Sequence, residues 1–215
     1  MHLQGAIFDM DGTLLDSVPA WQSLFSDLLA AFGCQPEPGL SRIVQPMGLT
    51  ESTAYLKTHY GLSQTQEELA NWARERMGRF YREEVRAKPG AEAFLSLLKL
   101  EGVWMYLATA TDRPLAEAAM RRAGLDGYFR GILTCEDVHA GKDQPVIFER
   151  CLTRLRCRKA DCVVFEDSPA AIQTAKAAGF RVAAVYDPSF ASDRAELEAL
   201  ADYYIRDYSD WITRE

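Results

Sequence analysis

The sequence predicts an α/β protein, a doubly wound parallel sheet interrupted by an inserted helical domain. Three observations predict it. A short apolar run, Leu3 to Phe8, breaks abruptly into DMDGT. Residues 17–87 carry helix-period patterns with no strand-like segment. From Pro89-Gly90 onward, apolar runs alternate with helix-period segments closed by glycine, the pattern of right-handed βαβ units.

The elements follow in chain order. An apolar run as short as Leu3 to Phe8, ending in acids and glycine, suits a buried parallel strand whose C-terminal end carries polar chemistry. Trp21, Leu24, Phe25, Leu28, Leu29 and Phe32 then recur at helical spacing, with Pro19 near a first turn and Gly33 as a stop. Thr50 is the expected cap of a helix ending at Gly61. Thr65 with Glu68 forms a capping box ahead of Leu69, Trp72, Ala73, Phe80 and Tyr81. A helix through Phe94, Leu95, Leu98 and Leu100 stops at Gly102, and VWMYLAT follows as a strand. The pattern continues with a helix from Pro114 to Gly124, the strand GILT, and a helix from Val146 to Leu155. CVVFE, the helix SPAAIQTAKAAG and VAAVY complete it. The first strand cannot stay buried alone, so it must rejoin the sheet. The expected organisation is a core of residues 1–16 and 88–215 with a helical cap at 17–87.

Composition limits what such a fold can do. With 48% hydrophobic residues in 215, the chain has enough apolar side chain to offset chain entropy, so disorder is excluded. The 24 basic residues against 31 acidic ones, a formal charge of −7, disfavour a general nucleic-acid binder. No apolar window reaches the length of a membrane span, and the N-terminus lacks a signal-peptide pattern. The five cysteines are odd in number and contain no C-x-x-C pair. They read as reduced thiols of a cytoplasmic protein.

In an open parallel sheet the ligand sits beyond the carboxyl ends of the strands. The residues there are Asp9 and Asp11 after the first strand, Thr109 after VWMYLA, Lys142 in the loop after GILT, and Glu166 with Asp167 after CVVF. Four acids converging on one point repel one another, and a hard divalent cation with oxygen ligands resolves that repulsion. Magnesium fits best, because it takes one or two carboxylates together with a substrate phosphate oxygen. Lys142, the Thr109 hydroxyl and backbone N–H groups would hold the phosphate. Asp9 could then attack phosphorus, and Asp11, two residues on and facing the same side, could protonate the leaving oxygen. Met10 would point into packing, Gly12 would let the backbone turn, and Thr13 would tie that turn.

DMDGTLLDS resembles the first signature of the haloacid dehalogenase superfamily, and Thr109, Lys142 in GKDQPVIF and EDS in VVFEDSPAAIQTAKAAG follow in the family's order. The resemblance spans the core, and the insert is similar to the helical cap of the β-phosphoglucomutase and small-molecule phosphatase branch. It implies a magnesium-dependent phosphatase acting on a small phosphorylated metabolite. In that reading Asp9 is nucleophile and metal ligand, and Asp11 is general acid/base with a ligating carbonyl. Thr109 and the Ala110 backbone bind phosphate, Lys142 neutralises it, Asp167 ligates metal, and Glu166 acts from behind the ligands. Two departures stand out. Asp143 follows Lys142 where relatives commonly have proline, and Trp21 stands where the mutase has a histidine. The second argues against the alternative of a phosphosugar mutase. A non-catalytic phosphometabolite-binding protein is the alternative of another class, disfavoured by the presence of Asp9 and Asp167.

In the helical segment Gly48, Arg42 and Lys57 are candidate substrate contacts, with Arg74 and Arg79 as weaker ones. Trp21, Trp72, Phe80 and Tyr81 are expected to pack within it. A monomer is the expected state.

Overall fold

The computed structural model describes residues 3–44 and 47–209, without the side chain of Arg42. The chain divides into a sheet unit, residues 1–16 and 85–215, and a helical unit, residues 17–84. Residues 85–87 therefore group with the sheet unit, ahead of the expected start at 88. Asp16 N–H donates to Arg86 O at 3.0 Å, and Leu15 bridges Ala87.

The strands of the sheet unit are β1 (Gly5–Phe8), β2 (Trp104–Thr109), β3 (Ile132–Thr134), β4 (Cys162–Glu166), β5 (Arg181–Val185) and β6 (Tyr203–Ile205). They pair in parallel in the order β3-β2-β1-β4-β5-β6. All four residues of β1 and all five of β4 are buried, as expected of central strands covered on both faces. Phe8 stacks on Phe165 across these two strands, with ring centroids 4.2 Å apart. The severed first strand thus occupies the middle of the sheet.

In chain order the helices of the helical unit are α1 (Val18–Ala31), α2 (Leu40–Val44), α3 (Leu49–Tyr60) and α4 (Gln66–Glu83). Those of the sheet unit are α5 (Ala91–Leu100), α6 (Arg113–Arg122), α7 (Cys135–Val138), α8 (Val146–Leu155), α9 (Pro169–Ala177) and α10 (Arg194–Leu200). On α8, Ile147, Cys151 and Leu155 recur every fourth residue and are buried with Phe148 against Ile7, Ala108 and Val164. Leu100 departs from its predicted core place: it is 86% exposed at the last turn of α5.

In the helical unit, α1 and α4 are tied by the Trp21 indole, which donates to the Tyr81 hydroxyl at 2.8 Å. The Thr65–Glu68 capping box is formed. Gly48, and not Thr50, occupies the N-cap of α3, whose other end is Gly61 in the left-handed conformation. Cys34, Cys135, Cys151, Cys157 and Cys162 are free thiols. Among the described residues no helix is long and apolar enough to cross a membrane.

Candidate functional site

Register brings the acids together. Phe8 lies level with Phe165, so the residues that follow them, Asp9 and Glu166, leave the sheet side by side, and Asp9 N–H donates to Phe165 O at 2.9 Å. The chain then turns: Leu14 and Leu15 both donate their N–H groups to Met10 O at 2.9 Å, with Gly12 at φ 82°. Only glycine adopts that φ without crowding Cβ against the backbone. Met10 is fully buried.

Asp9, Glu166 and Asp167 each place a carboxylate oxygen within 4.8 Å of the others, and all three residues are buried. The Lys142 ammonium lies between two of them, donating to Asp9 Oδ1 and, at 2.6 Å, to Glu166 Oε1. Glu166 Oε2 accepts from the N–H groups of Asp167 and Ser168, each at 3.0 Å. Both Glu166 oxygens are therefore occupied. Asp167 Oδ1 accepts the Thr13 hydroxyl at 3.0 Å. Among the described residues, Asp9 Oδ2 and Asp167 Oδ2 accept from no donor.

The charges perturb one another. Burial would lower the Lys142 ammonium, but the Asp9 and Glu166 charges override it and hold it above the ordinary lysine range. Burial raises the Glu166 carboxyl despite its ion pair with Lys142. Burial, with Glu166 and Asp9 adding repulsion, pushes Asp167 well above the usual carboxylate range. Buried like charges behave this way when they lack enough counter-charge. Two open oxygens on adjacent buried carboxylates are a hard-donor pair that suits a magnesium ion and does not suit a soft metal. The donor set fits the cation.

Thr109 is buried and its hydroxyl accepts the Thr111 N–H at 3.0 Å, leaving its own proton available to donate. Ala110 is exposed immediately after β2. Thr111, which the sequence reading passed over, donates its hydroxyl to Asp11 Oδ2 at 2.7 Å. Its signal was available, since Thr109 and Thr111 have the same i, i+2 spacing as Asp9 and Asp11. Thr13, expected to tie its own turn, reaches Asp167 instead. Lys88 and Asp187 were also missed: the ammonium donates to Asp187 Oδ2 at 2.9 Å and to Tyr186 O at 2.7 Å. The exposed Asp143 leaves the Lys142 contacts intact.

The helical-unit candidates fare differently. Lys57 donates to the carbonyls of Leu62 and Gln64, so its ammonium holds the chain that links α3 to α4. That role removes it from the candidate clamps. Gly48 is exposed at the cap of α3, and the Arg42 side chain lies outside the described residues. Arg74 donates to Asn71 Oδ1 at 3.1 Å within α4.

The family described as haloacid dehalogenase-like hydrolase matches residues 6–185. The chain is similar to hexitol phosphatase A of Escherichia coli (strain K12), 32% identical over 191 residues that cover 88% of this chain and 86% of that protein. It is also similar to a fructose-1-phosphate phosphatase of the same strain, 30% identical and covering 81% of this chain and 92% of that one. A solved Thermotoga maritima structure named as a candidate β-phosphoglucomutase superposes with a TM-score of 0.81 at 27% identity, covering 96% of each chain.

Proposed function

This chain belongs to the haloacid dehalogenase-like hydrolase family, and from that premise we propose that it is a magnesium-dependent phosphatase of small organic phosphomonoesters. The observation that carries the reading is the buried trio Asp9, Glu166 and Asp167 with Lys142 between Asp9 and Glu166. Sugar or polyol phosphates and phosphoglycolate-like esters are the proposed substrate class, supported by the activities named for the Escherichia coli relatives.

Asp9 Oδ2 and Asp167 Oδ2, with the Asp11 carbonyl, would hold the cation. When bound it neutralises phosphoryl oxygens and lowers the repulsion that a carboxylate nucleophile meets. The Lys142 ammonium neutralises Asp9 and the entering dianion together, and Glu166 fixes that ammonium in place. The Thr109 hydroxyl donates to a phosphoryl oxygen, and the Ala110 backbone lies beside it. Asp9 attacks phosphorus, the bond to the ester oxygen breaks, and the Asp11 carboxyl gives its proton to the departing alkoxide. Asp11, now a carboxylate steadied by Thr111, takes a proton from water. The water oxygen attacks phosphorus, the bond to Asp9 breaks, and orthophosphate leaves.

A mutase must hold the phosphorylated aspartate away from water. The family's mutase uses a histidine where this chain has Trp21, whose indole N–H is committed to Tyr81 and offers no proton acceptor. The phosphatase reading is therefore preferred. It is tested by phosphate release from a panel of sugar and polyol phosphates, with magnesium or with a chelator. Release is expected only with magnesium, and Asp9→Asn should lower it by about 10⁴-fold or more. Full activity in Asp9→Asn, or no release across the panel, would overturn the reading.

A further inference from the structure

A second charged feature lies in the sheet unit at the end opposite Asp9. A groove of about 640 Å³ is lined by Tyr106, Arg130, Arg150, Thr153, Arg154 and Arg156. Trp104, beside it, is level with Gly5 at the start of β1, four residues and about 13 Å of strand from Asp9.

Its chemistry is one-sided. Arg150 and Arg154 stand one turn apart on α8, and among the described residues neither they nor Arg156 has a carboxylate or hydrogen-bond partner. The Arg130 guanidinium lies 3.1 Å from the centre of the Trp104 ring, which fixes its plane without neutralising it. The Tyr106 hydroxyl has no partner among the described residues either. A Cβ on Gly131 would come within 2.5 Å of that oxygen, so a glycine here makes room for the phenol. Thr153 has given its proton to Glu149 O and adds shape only. Asp137, along the continuation of the groove, is committed to Arg113 and Thr134.

This arrangement is held at a cost. Like charges at i and i+4 destabilise a helix. Arg156 has φ 54°, in the left-handed region where helix ends favour glycine. In a chain of formal charge −7, four guanidinium groups with no carboxylate partner among the described residues then line one groove. Arginine also presents a planar fork that matches phosphate oxygens in pairs, which lysine cannot do.

We infer that this groove binds an oligophosphate, an anion of two or more linked phosphoryl groups that bridges Arg150 and Arg154 on one wall and Arg130 and Tyr106 on the other. Linked phosphoryl groups offer more oxygens to these donors than a single orthophosphate does. The inference is independent of the phosphatase reading, because it uses none of the residues placed there.

The test is calorimetric titration of the full chain with inorganic tripolyphosphate, with ATP and with orthophosphate, in the presence of a chelator. One equivalent of tripolyphosphate or ATP should bind, at least about tenfold more tightly than orthophosphate. Tighter tripolyphosphate binding identifies an inorganic chain as the source, and tighter ATP binding a nucleotide. The double variant Arg150→Ala/Arg154→Ala should bind at least about tenfold more weakly, with its phosphomonoesterase activity unchanged. Arg150→Lys/Arg154→Lys keeps the charge and should still lose about threefold or more, since it lacks the paired donors. All four arginines are exposed, so the variants should melt as the parent does. Equal binding by the alanine variant, or undiminished binding by the lysine variant, overturns the proposal.

Discussion

The Thr13 hydroxyl donates to Asp167 Oδ1 at 3.0 Å, joining the turn after β1 to the end of β4, 154 positions apart in the chain. The bond occupies one carboxylate oxygen and leaves the other for the proposed cation. Hydrogen bonds behind a metal ligand typically account for about 10–100-fold in metal affinity. Thr13→Val keeps the side-chain shape and should raise the magnesium concentration for half-maximal phosphate release by about tenfold. Thr13→Ser should restore it. A magnesium titration that does not move in Thr13→Val would show that Asp167 is oriented by other contacts.

Lys142 is the cation shared by Asp9 and Glu166, and Lys142→Met leaves their charges buried without it. Phosphate release should fall about 10³-fold. The metal-free protein should lose about 3–5 kcal/mol at neutral pH, the usual consequence of breaking a buried pair from one side. The pH dependence has a definite sign. Burial raises the carboxyls of Glu166 and Asp167, which therefore bind protons more readily in the folded state, so acid favours folding. The deficit should narrow as pH drops from 7.5 toward 5, read from urea midpoints. A deficit that widens in that range contradicts the account.

The legible part of the fold was the part built from regular, two-sided burial. β1, β2, β4 and β5 are apolar runs because parallel strands are covered on both faces, and the acids stand at their ends for the same reason. β6 was missed because Tyr203–Ile205 is a three-residue strand at the edge of the sheet, with Tyr203 and Tyr204 only half-buried. α2 and α7 are too short to show a period. Asp9, Asp11, Thr109, Lys142, Glu166 and Asp167 could be named from the sequence, but not the bonds from Thr13 and Thr111. Those depend on where two distant loops meet. Lys57 misled because a lysine on a helix looks the same whether it faces a ligand or its own chain's carbonyls.

Asp202 offers a cleaner titration away from the site. Burial alone would raise its carboxyl, but Lys176 Nζ and the Val182 N–H, each donating at 2.8 Å, outweigh burial and hold it below the usual aspartate range. A depressed folded pKa contributes stability above the unfolded value, near ~3.9, and loses it as pH falls through the folded value. Asp202→Asn should therefore cost about 1 kcal/mol at pH 7, a value discounted for the partial exposure of the pair. The difference should persist down to about pH 4 and shrink only below it. Guanidinium melts of parent and variant across that range decide it, and a difference that grows on acidification would sink the assignment.

Gly5 begins β1 against α8 and β4, and the constraint on it is space and not backbone conformation. A Cβ there would lie 2.6 Å from Cys157 Sγ, 3.3 Å from Leu155 Cδ1 and 3.5 Å from Cys162 Sγ. The first distance is far inside van der Waals contact, and overpacking of this kind costs about 1–3 kcal/mol. Gly5→Ala should destabilise the protein by that amount, whereas Cys157→Ala deletes the clashing sulfur at little cost because Cys157 is only half-buried. If the steric account is right, the double variant should recover most of the loss, giving a coupling of about 1 kcal/mol or more between the two positions. If the glycine is instead required by the strand itself, the two penalties will simply add. Denaturant unfolding of the four proteins in the cycle separates the two causes.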